Sequence, residues 1–218
     1  MGQFKLPGFL GGGTIPFGCS ASVVSSESAS LVLTAGHCIE LTLFGHRFWV
    51  SQAVFVPGFH DGQTPFGIFP VKSEAVLPGW LKSNNENFDV GAMVLARNGV
   101  GQRAGPAVGA LGLATGQPTT QTFDAYGYPQ AAPFDPDKQW HCQSPYSGTD
   151  PLSFAFPGPP TMRIDCVMTE GASGGGWVIG GQYLNGLTAY GYPDQPFIYG
   201  PYFGRSVWKL FARMRRVH

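Results

Sequence analysis

Leu31-Val32-Leu33-Thr34-Ala35-Gly36-His37-Cys38 is the stretch on which the reading of this 218-residue chain turns. Its unbroken apolar start suits a buried strand, and the strand hands over through a glycine to a histidine set beside a cysteine. Before it, Phe17 to Val24 is short and partly alternating, and the Ser-rich segment Ser25–Ser30 turns the chain, so residues 17–38 read as a hairpin. The same style continues outward. Residues 47–56 suggest a strand ended by Pro57-Gly58, and Asp89 through Leu95 is a further apolar strand. Asn98 to Pro106 is rich in glycine and reads as a linker.

In the second half, Gln121–Tyr126 forms a strand stopped at Gly127-Tyr128-Pro129, and residues 129–160 read as a long Pro/Gly/Ser-rich connection. Trp177-Val178-Ile179 and Gln182 to Tyr190 flank Gly180-Gly181, a pair suited to a type I′ hairpin. Val207, Leu210, Phe211 and Met214 recur at helical spacing, predicting a terminal helix over about 204–216. The chain holds 32 glycines and 19 prolines, about a quarter of its length, which fits many short strands joined by turns and an all-β class. The expected division is 1–100 and 101–218.

Charged residues are 12% of the chain, and 13 basic residues balance 13 acidic ones, so binding to nucleic acid through phosphate neutralisation is not expected. A hydrophobic content of 43% excludes disorder driven by charge. No apolar run approaches the roughly 18 residues of a membrane helix. Four cysteines allow three full pairings, and their distribution, two early and two in the last third, favours Cys19–Cys38 and Cys142–Cys166. His37-Cys38 and His141-Cys142 invite a zinc reading, but no C-x-x-C or H-x-x-x-H pair presents ligands from one turn, so no metal is expected. Two disulfides imply an oxidising compartment and a secreted protein. Residues 1–18 carry no secretory signal, which a processed chain with an added Met or a mis-assigned start would reconcile.

Three segments carry chemistry. His37 leaves a buried strand; Asp89, in Asn87-Phe88-Asp89-Val90-Gly91, heads another; Ser173 lies in the glycine loop Glu170-Gly171-Ala172-Ser173-Gly174-Gly175-Gly176. A serine hydroxyl needs a base to take its proton, and the base needs an acceptor to fix its tautomer. The N–H groups of Gly171 and Ser173 can point at one place, as a developing oxyanion requires. Taken singly, His37 could be a core histidine, Asp89 a strand start after an Asn-rich turn, and the glycine loop a flexible turn. A phosphate cradle is excluded because no Gly-Lys-[Ser/Thr] follows and no helix opens there.

Together the motifs T-A-G-H-C, D-V-G-A-M-V-L and G-A-S-G-G-G, in the order His, Asp, Ser, resemble the trypsin/chymotrypsin-like serine proteases, especially the bacterial glutamyl-endopeptidase-like branch. The loop also fits the G-x-S-x-G elbow of α/β-hydrolases, but that fold requires acid and base after the serine. The resemblance implies two six-stranded antiparallel β-barrels with the active site between them. It makes Ser173 the nucleophile, His37 the base and then acid, Asp89 the orienting carboxylate, and Gly171 and Ser173 the oxyanion donors. It matches Cys19–Cys38 to the bridge flanking the family's histidine. It also makes Thr188-Ala189-Tyr190-Gly191 the strand that pairs with substrate and walls the pocket for the P1 side chain, the residue whose carbonyl is attacked.

Three departures refine these expectations. Ala172 stands where trypsin-like zymogens carry the Asp that pairs with a newly cut N-terminus, so activation by that ion pair is not expected. Ala189 replaces the family's serine beside the buried aspartate, so partners for Asp89 must come from backbone near His37. Val167 and Thr188 stand where trypsins and glutamyl endopeptidases carry their specificity-giving acid and histidine. A pocket of Val167, Met168, Thr169 and Thr188–Gly191 is therefore expected to be uncharged and to take apolar or small residues, because an unpaired buried charge is costly. The chain is expected to be a monomer acting on peptide or protein substrates without cofactor. The competing expectations are a catalytically silent protease-like binding protein and an all-β carbohydrate-binding module presenting Trp and Tyr.

Overall fold

A computed structural model describes residues 2–5, 14–43 and 45–217. The first half contains β1 (Gly2–Lys5), β2 (Thr14–Phe17), β3 (Ser22–Val24), β4 (Leu31–Thr34), β5 (Glu40–Leu43), β6 (His46–Ser51), β7 (Val54–Phe55), β8 (Phe69–Val76) and β9 (Gly91–Leu95). They form two sheets, ordered β2-β1-β6-β5 and β3-β4-β9-β8-β7. The second half contains β10 (Gly112–Leu113), β11 (Thr122–Gly127), β12 (Trp140–Thr149), β13 (Met162–Ile164), β14 (Gly176–Ile179), β15 (Tyr183–Leu187) and β16 (Ile198–Gly200), in one sheet ordered β10-β15-β14-β11-β12-β13-β16. Helices are few: α1 (Pro78–Ser83), α2 (Ala104–Val108) and the terminal α3 (Arg205–Met214).

Leu31 to Thr34 are all buried because β4 is sandwiched in its sheet, flanked by β3 and β9. Its Leu33 pairs with Ala92, and Thr34 with Gly91, which brings the strand end before His37 beside the start of the strand after Asp89. The strand expected over Phe17 to Val24 is interrupted at residues 18–21, where the chain instead reaches across to the second half. The strand expected over 47–56 breaks at Gln52, whose φ of 53° lies in the left-handed region. The 129–160 connection contains the ten-residue β12, which pairs with β11 along its first six residues. Its Pro145 and Gly148 hid it from the pattern, and a register shift between Tyr146 and Gly148 accommodates the irregularity. The Gly180-Gly181 turn has φ of 57° and 70°, as a type I′ hairpin needs.

One core runs through both halves. Leu31, Leu33, Ala92 and Val94 of the first half pack in the same buried cluster as Leu184, Leu187 and Ala189 of the second. Val207, Leu210, Phe211 and Met214 of α3 close it, so the apolar stripe of the C-terminal helix clasps the N-terminal half. A second cluster around Phe123, Ile164 and Trp177 fills the other half. Segment 34–38 thus leaves a strand anchored in the shared core, and segment 171–175 leads into β14, whose Trp177 lies in the second cluster.

Candidate active site

Thr34 ends β4, and Gly36–Cys38 make a single 3-10 turn that swings His37 out of the core. The His37 side chain keeps 28% of its surface exposed, whereas Asp89 is fully buried. Asp89 follows a turn built by the Asn-rich run. Asn84, at φ 49°, ends α1, and the Asn85 side chain accepts the N–H of Asn87 to start the 3-10 turn Glu86–Phe88. Asn87 is buried and its amide donates to the Ser153 and Pro157 carbonyls, so the run is a built support and more than a solvent-exposed turn.

Asp89 Oδ2 lies 2.7 Å from His37 Nδ1, and Oδ1 accepts the His37 backbone N–H at 2.8 Å. With Nδ1 carrying the proton toward Asp89, Nε2 is left as the acceptor nitrogen. Burial pushes the imidazole pKa down, but the charge of Asp89 and its hydrogen bond, helped by Glu86, outweigh this and leave it above the ordinary 6.5. Glu86 itself is raised to about 7, first by burial and then by the charge of Asp89, with His37 pulling the other way. Trp80 stands 6.2 Å from the His37 ring, centroid to centroid, and donates its indole N–H to the Glu40 carbonyl at 3.0 Å.

The glycine loop is brought against this pair by Ser20. Its backbone N–H donates to the Ser173 carbonyl at 2.7 Å, and its hydroxyl donates to the Gly171 carbonyl and accepts the Tyr128 N–H, each at 2.9 Å. Cys38 Sγ lies 3.8 Å from the Ser173 carbonyl oxygen. On the other side, the Gly174 N–H donates to Thr188 and the Thr188 N–H to Gly175. The loop demands glycine at Gly174, whose φ is +82° and where a Cβ would run into Thr34 Oγ1 and the Ser20 carbonyl. Gly171 also has a positive φ of +91°. Ala172, Gly174 and Gly175 spend their N–H groups on Thr169, Thr188 and Ala172 carbonyls, while among the described residues the Gly171 and Ser173 N–H groups donate to no protein acceptor. Among the described residues the Ser173 hydroxyl and His37 Nε2 make no hydrogen bond to each other; such contacts commonly tighten only once substrate is bound.

A cavity of about 720 Å³ opens beside Ser173. Val167, Met168 and Thr169 line one side and Thr188, Ala189, Tyr190 and Gly191 the other, so the seven wall residues singled out in the sequence surround one space. The Thr188 hydroxyl accepts the Trp177 indole N–H at 3.0 Å and is thereby occupied. Its charged lining groups are Glu170 and Asp194, both exposed at the rim. Cys19 pairs with Cys38, and Cys142 with Cys166. Among the described residues the cluster of potential metal ligands is Cys19, His37 and Cys38, and the disulfide consumes both of its sulfurs. No described helix is long and apolar enough to cross a membrane. Nothing in the sequence singles out Ser20 or Trp80, while Glu86 and Asn87 lie in the Asn-rich run. That run carries a visible signal, but one of a turn.

A family model described as trypsin matches residues 9–203. The chain is similar to a thermostable serine protease, AL20, from an extremophilic microorganism: the TM-score is 0.85 and the identity 31%, covering 100% of this chain and 96% of that one. It is also similar to the protease Anisep from Arthrobacter nicotinovorans, with a TM-score of 0.83 and 28% identity over 99% of this chain and 95% of that one. Among curated proteins, 116 residues are 29% identical to a Bacillus subtilis protein named extracellular metalloprotease, a match covering 49% of this chain and 35% of that relative. The matched region is therefore about a third of that relative's length.

Proposed function

The chain belongs to the trypsin family of serine-type endopeptidases, and we propose that it cleaves peptide bonds through an acyl-enzyme on Ser173. The observation that carries this reading is the double hold of Asp89 on His37, at 2.7 Å on Nδ1 and 2.8 Å on the backbone N–H, beside a loop that presents Ser173. In the first step His37 Nε2 takes the Ser173 hydroxyl proton while Oγ bonds to the substrate carbonyl carbon. The carbonyl electron pair moves onto oxygen, and the otherwise unspent Gly171 and Ser173 N–H groups receive that oxyanion. Asp89 keeps the tautomer and stabilises the imidazolium. His37 then returns the proton to the leaving amine as the C–N bond breaks. Water repeats the sequence, with His37 as base, and releases the acid.

The P1 pocket is uncharged in its depth, a reading supported by a lining whose carboxylates, Glu170 and Asp194, sit at the rim. Apolar or small residues at the cleavage site follow, since no residue lining the cavity offers a buried charge to a carboxylate or a guanidinium. An extracellular site of action is supported by the two disulfides. Digestion of a peptide library by wild type and by Ser173→Ala tests the whole reading. Cleavage after apolar or small residues, abolished in the variant, is expected. Strong preference for Glu or Arg would overturn the pocket, and unchanged cleavage by the variant would overturn the chemistry.

A further inference from the structure

Asp150 is a buried carboxylate, 3% exposed, that the proposed reaction does not use. It follows β12 and caps the start of the 3-10 turn Pro151–Ala155, where its Oδ1 accepts the Leu152 N–H at 2.9 Å. Its Oδ2 accepts two phenols, the hydroxyls of Tyr190 and Tyr192, each at 2.7 Å. The Tyr190 oxygen is also 2.8 Å from Thr161 Oγ1, so that hydroxyl can accept from Thr161 while donating to Asp150. Burial pushes the Asp150 carboxyl up, yet the hydroxyls of Tyr192 and Tyr190 and the Leu152 N–H hold it below the ordinary carboxylate range. Two phenols converging on one buried anion are a demanding arrangement, because charge-assisted bonds are strong only while geometry and desolvation are both maintained.

Both tyrosines line the cavity beside Ser173. Tyr190 stacks on Tyr199 at 5.1 Å and 13°, and Tyr192 meets Tyr190 edge-on at 5.7 Å and 76°. Asp150 therefore fixes the tilt of a ring cluster that walls the space where substrate residues preceding the cleaved bond must lie. The same turn reaches the other half of the active site. The Ser153 hydroxyl donates to the Asp150 carbonyl at 2.6 Å, and Asn87, two residues before Asp89, donates to the Ser153 carbonyl at 3.0 Å.

We propose that Asp150 is a positioning residue that locks Tyr190 and Tyr192 as a platform for the acyl-side part of the substrate, so that extended peptides are favoured over substrates offering a single residue. This rests on the acyl-enzyme reading above. A phenol free to rotate would present no fixed surface, and ordering it at the moment of binding would cost affinity. A single-residue ester places only one side chain against this wall and uses less of the platform than an extended peptide does.

The test compares two substrates with the same cleavage-site residue, an acyl-tetrapeptide anilide of apolar residues and an acetyl-amino-acid ester. Active sites are counted first with a fluorophosphonate, so that folding losses cancel. Wild type, Asp150→Asn and Tyr192→Phe are measured, and the ratio of peptide to ester kcat/KM is read. Asp150→Asn is expected to lower that ratio about tenfold, and Tyr192→Phe, which removes one hydroxyl and keeps the ring, about threefold. A ratio within twofold of wild type in both variants overturns the proposal, as does an equal loss on both substrates. If Asp150→Asn yields no titratable sites, Tyr192→Phe decides by the same criterion. Wild type that takes up no fluorophosphonate instead overturns the acyl-enzyme reading on which the proposal stands.

Discussion

Asp89 holds His37 at two points, with Oδ2 2.7 Å from the ring Nδ1 and Oδ1 accepting the backbone N–H at 2.8 Å. One contact fixes which ring nitrogen carries the proton, and the other fixes where the residue itself sits. Ala189 brings no hydroxyl to Asp89, and the backbone contact supplies the second acceptor site its partner. An Asp89→Asn change keeps the volume but offers an amide donor toward Nδ1, favouring the wrong tautomer. A fall in kcat of about 10³–10⁴ is expected with the fold intact, read by steady-state kinetics alongside circular dichroism. A loss below tenfold would remove Asp89 from the orienting role.

The pH profile follows from the direction of the His37 shift. The imidazole must be neutral to accept the Ser173 proton, and its folded pKa lies above 6.5. The acid limb of kcat/KM is therefore expected to have its midpoint above pH 6.5. Any stability that His37 contributes through the pair is present in full below 6.5 and is lost as pH rises through the raised folded value. Glu86 adds to the shift, so Glu86→Gln is expected to move the acid limb to lower pH. A limb that stays put or moves upward would contradict the role given to Glu86.

Ser20 spends its backbone N–H and both roles of its hydroxyl on the second half of the chain. Ser20→Ala leaves the buried Gly171 carbonyl without its hydroxyl partner, at a cost of about 1–3 kcal/mol. Denaturant unfolding is expected to show that loss, with a lower kcat because the loop bearing Ser173 is loosened. A variant with wild-type stability and kcat would show that the pin is dispensable.

Part of the candidate site is legible in the sequence because its residues break a local pattern. His37, Asp89 and Ser173 each interrupt an apolar or glycine pattern, and the strand that ends at Thr34 is legible from the apolar run Leu31-Val32-Leu33. Ser20 and Trp80 were not legible. A serine and a tryptophan among many carry no pattern, and their partners lie 151 and 40 residues away in the chain. Strand β12 was obscured because Pro145 and Gly148 broke its alternation, although pairing with β11 overrides local propensity. Asp150 shows the same limit, since its role exists only once Tyr190 and Tyr192 converge on it.

The Cys19–Cys38 disulfide closes a loop across a sequence separation of 19 and ties the residue beside His37 to the segment carrying Ser20. Replacing both cysteines by serine is expected to cost about 3 kcal/mol, by the loop-entropy relation, and to lower activity at temperatures where the wild type is stable. Thermal unfolding and residual activity measured together check this. Unaltered values for both would show that core packing alone positions His37.

The central claim is an activated serine at position 173. Intact-mass analysis after fluorophosphonate treatment, with wild type, Ser173→Ala and His37→Ala in parallel, addresses it most directly. The account predicts a single adduct on wild type, none on Ser173→Ala, and labelling slowed about a hundredfold or more on His37→Ala. Folded, disulfide-bonded wild type that takes up no label, or a Ser173→Ala variant that labels as fast as wild type, would contradict it.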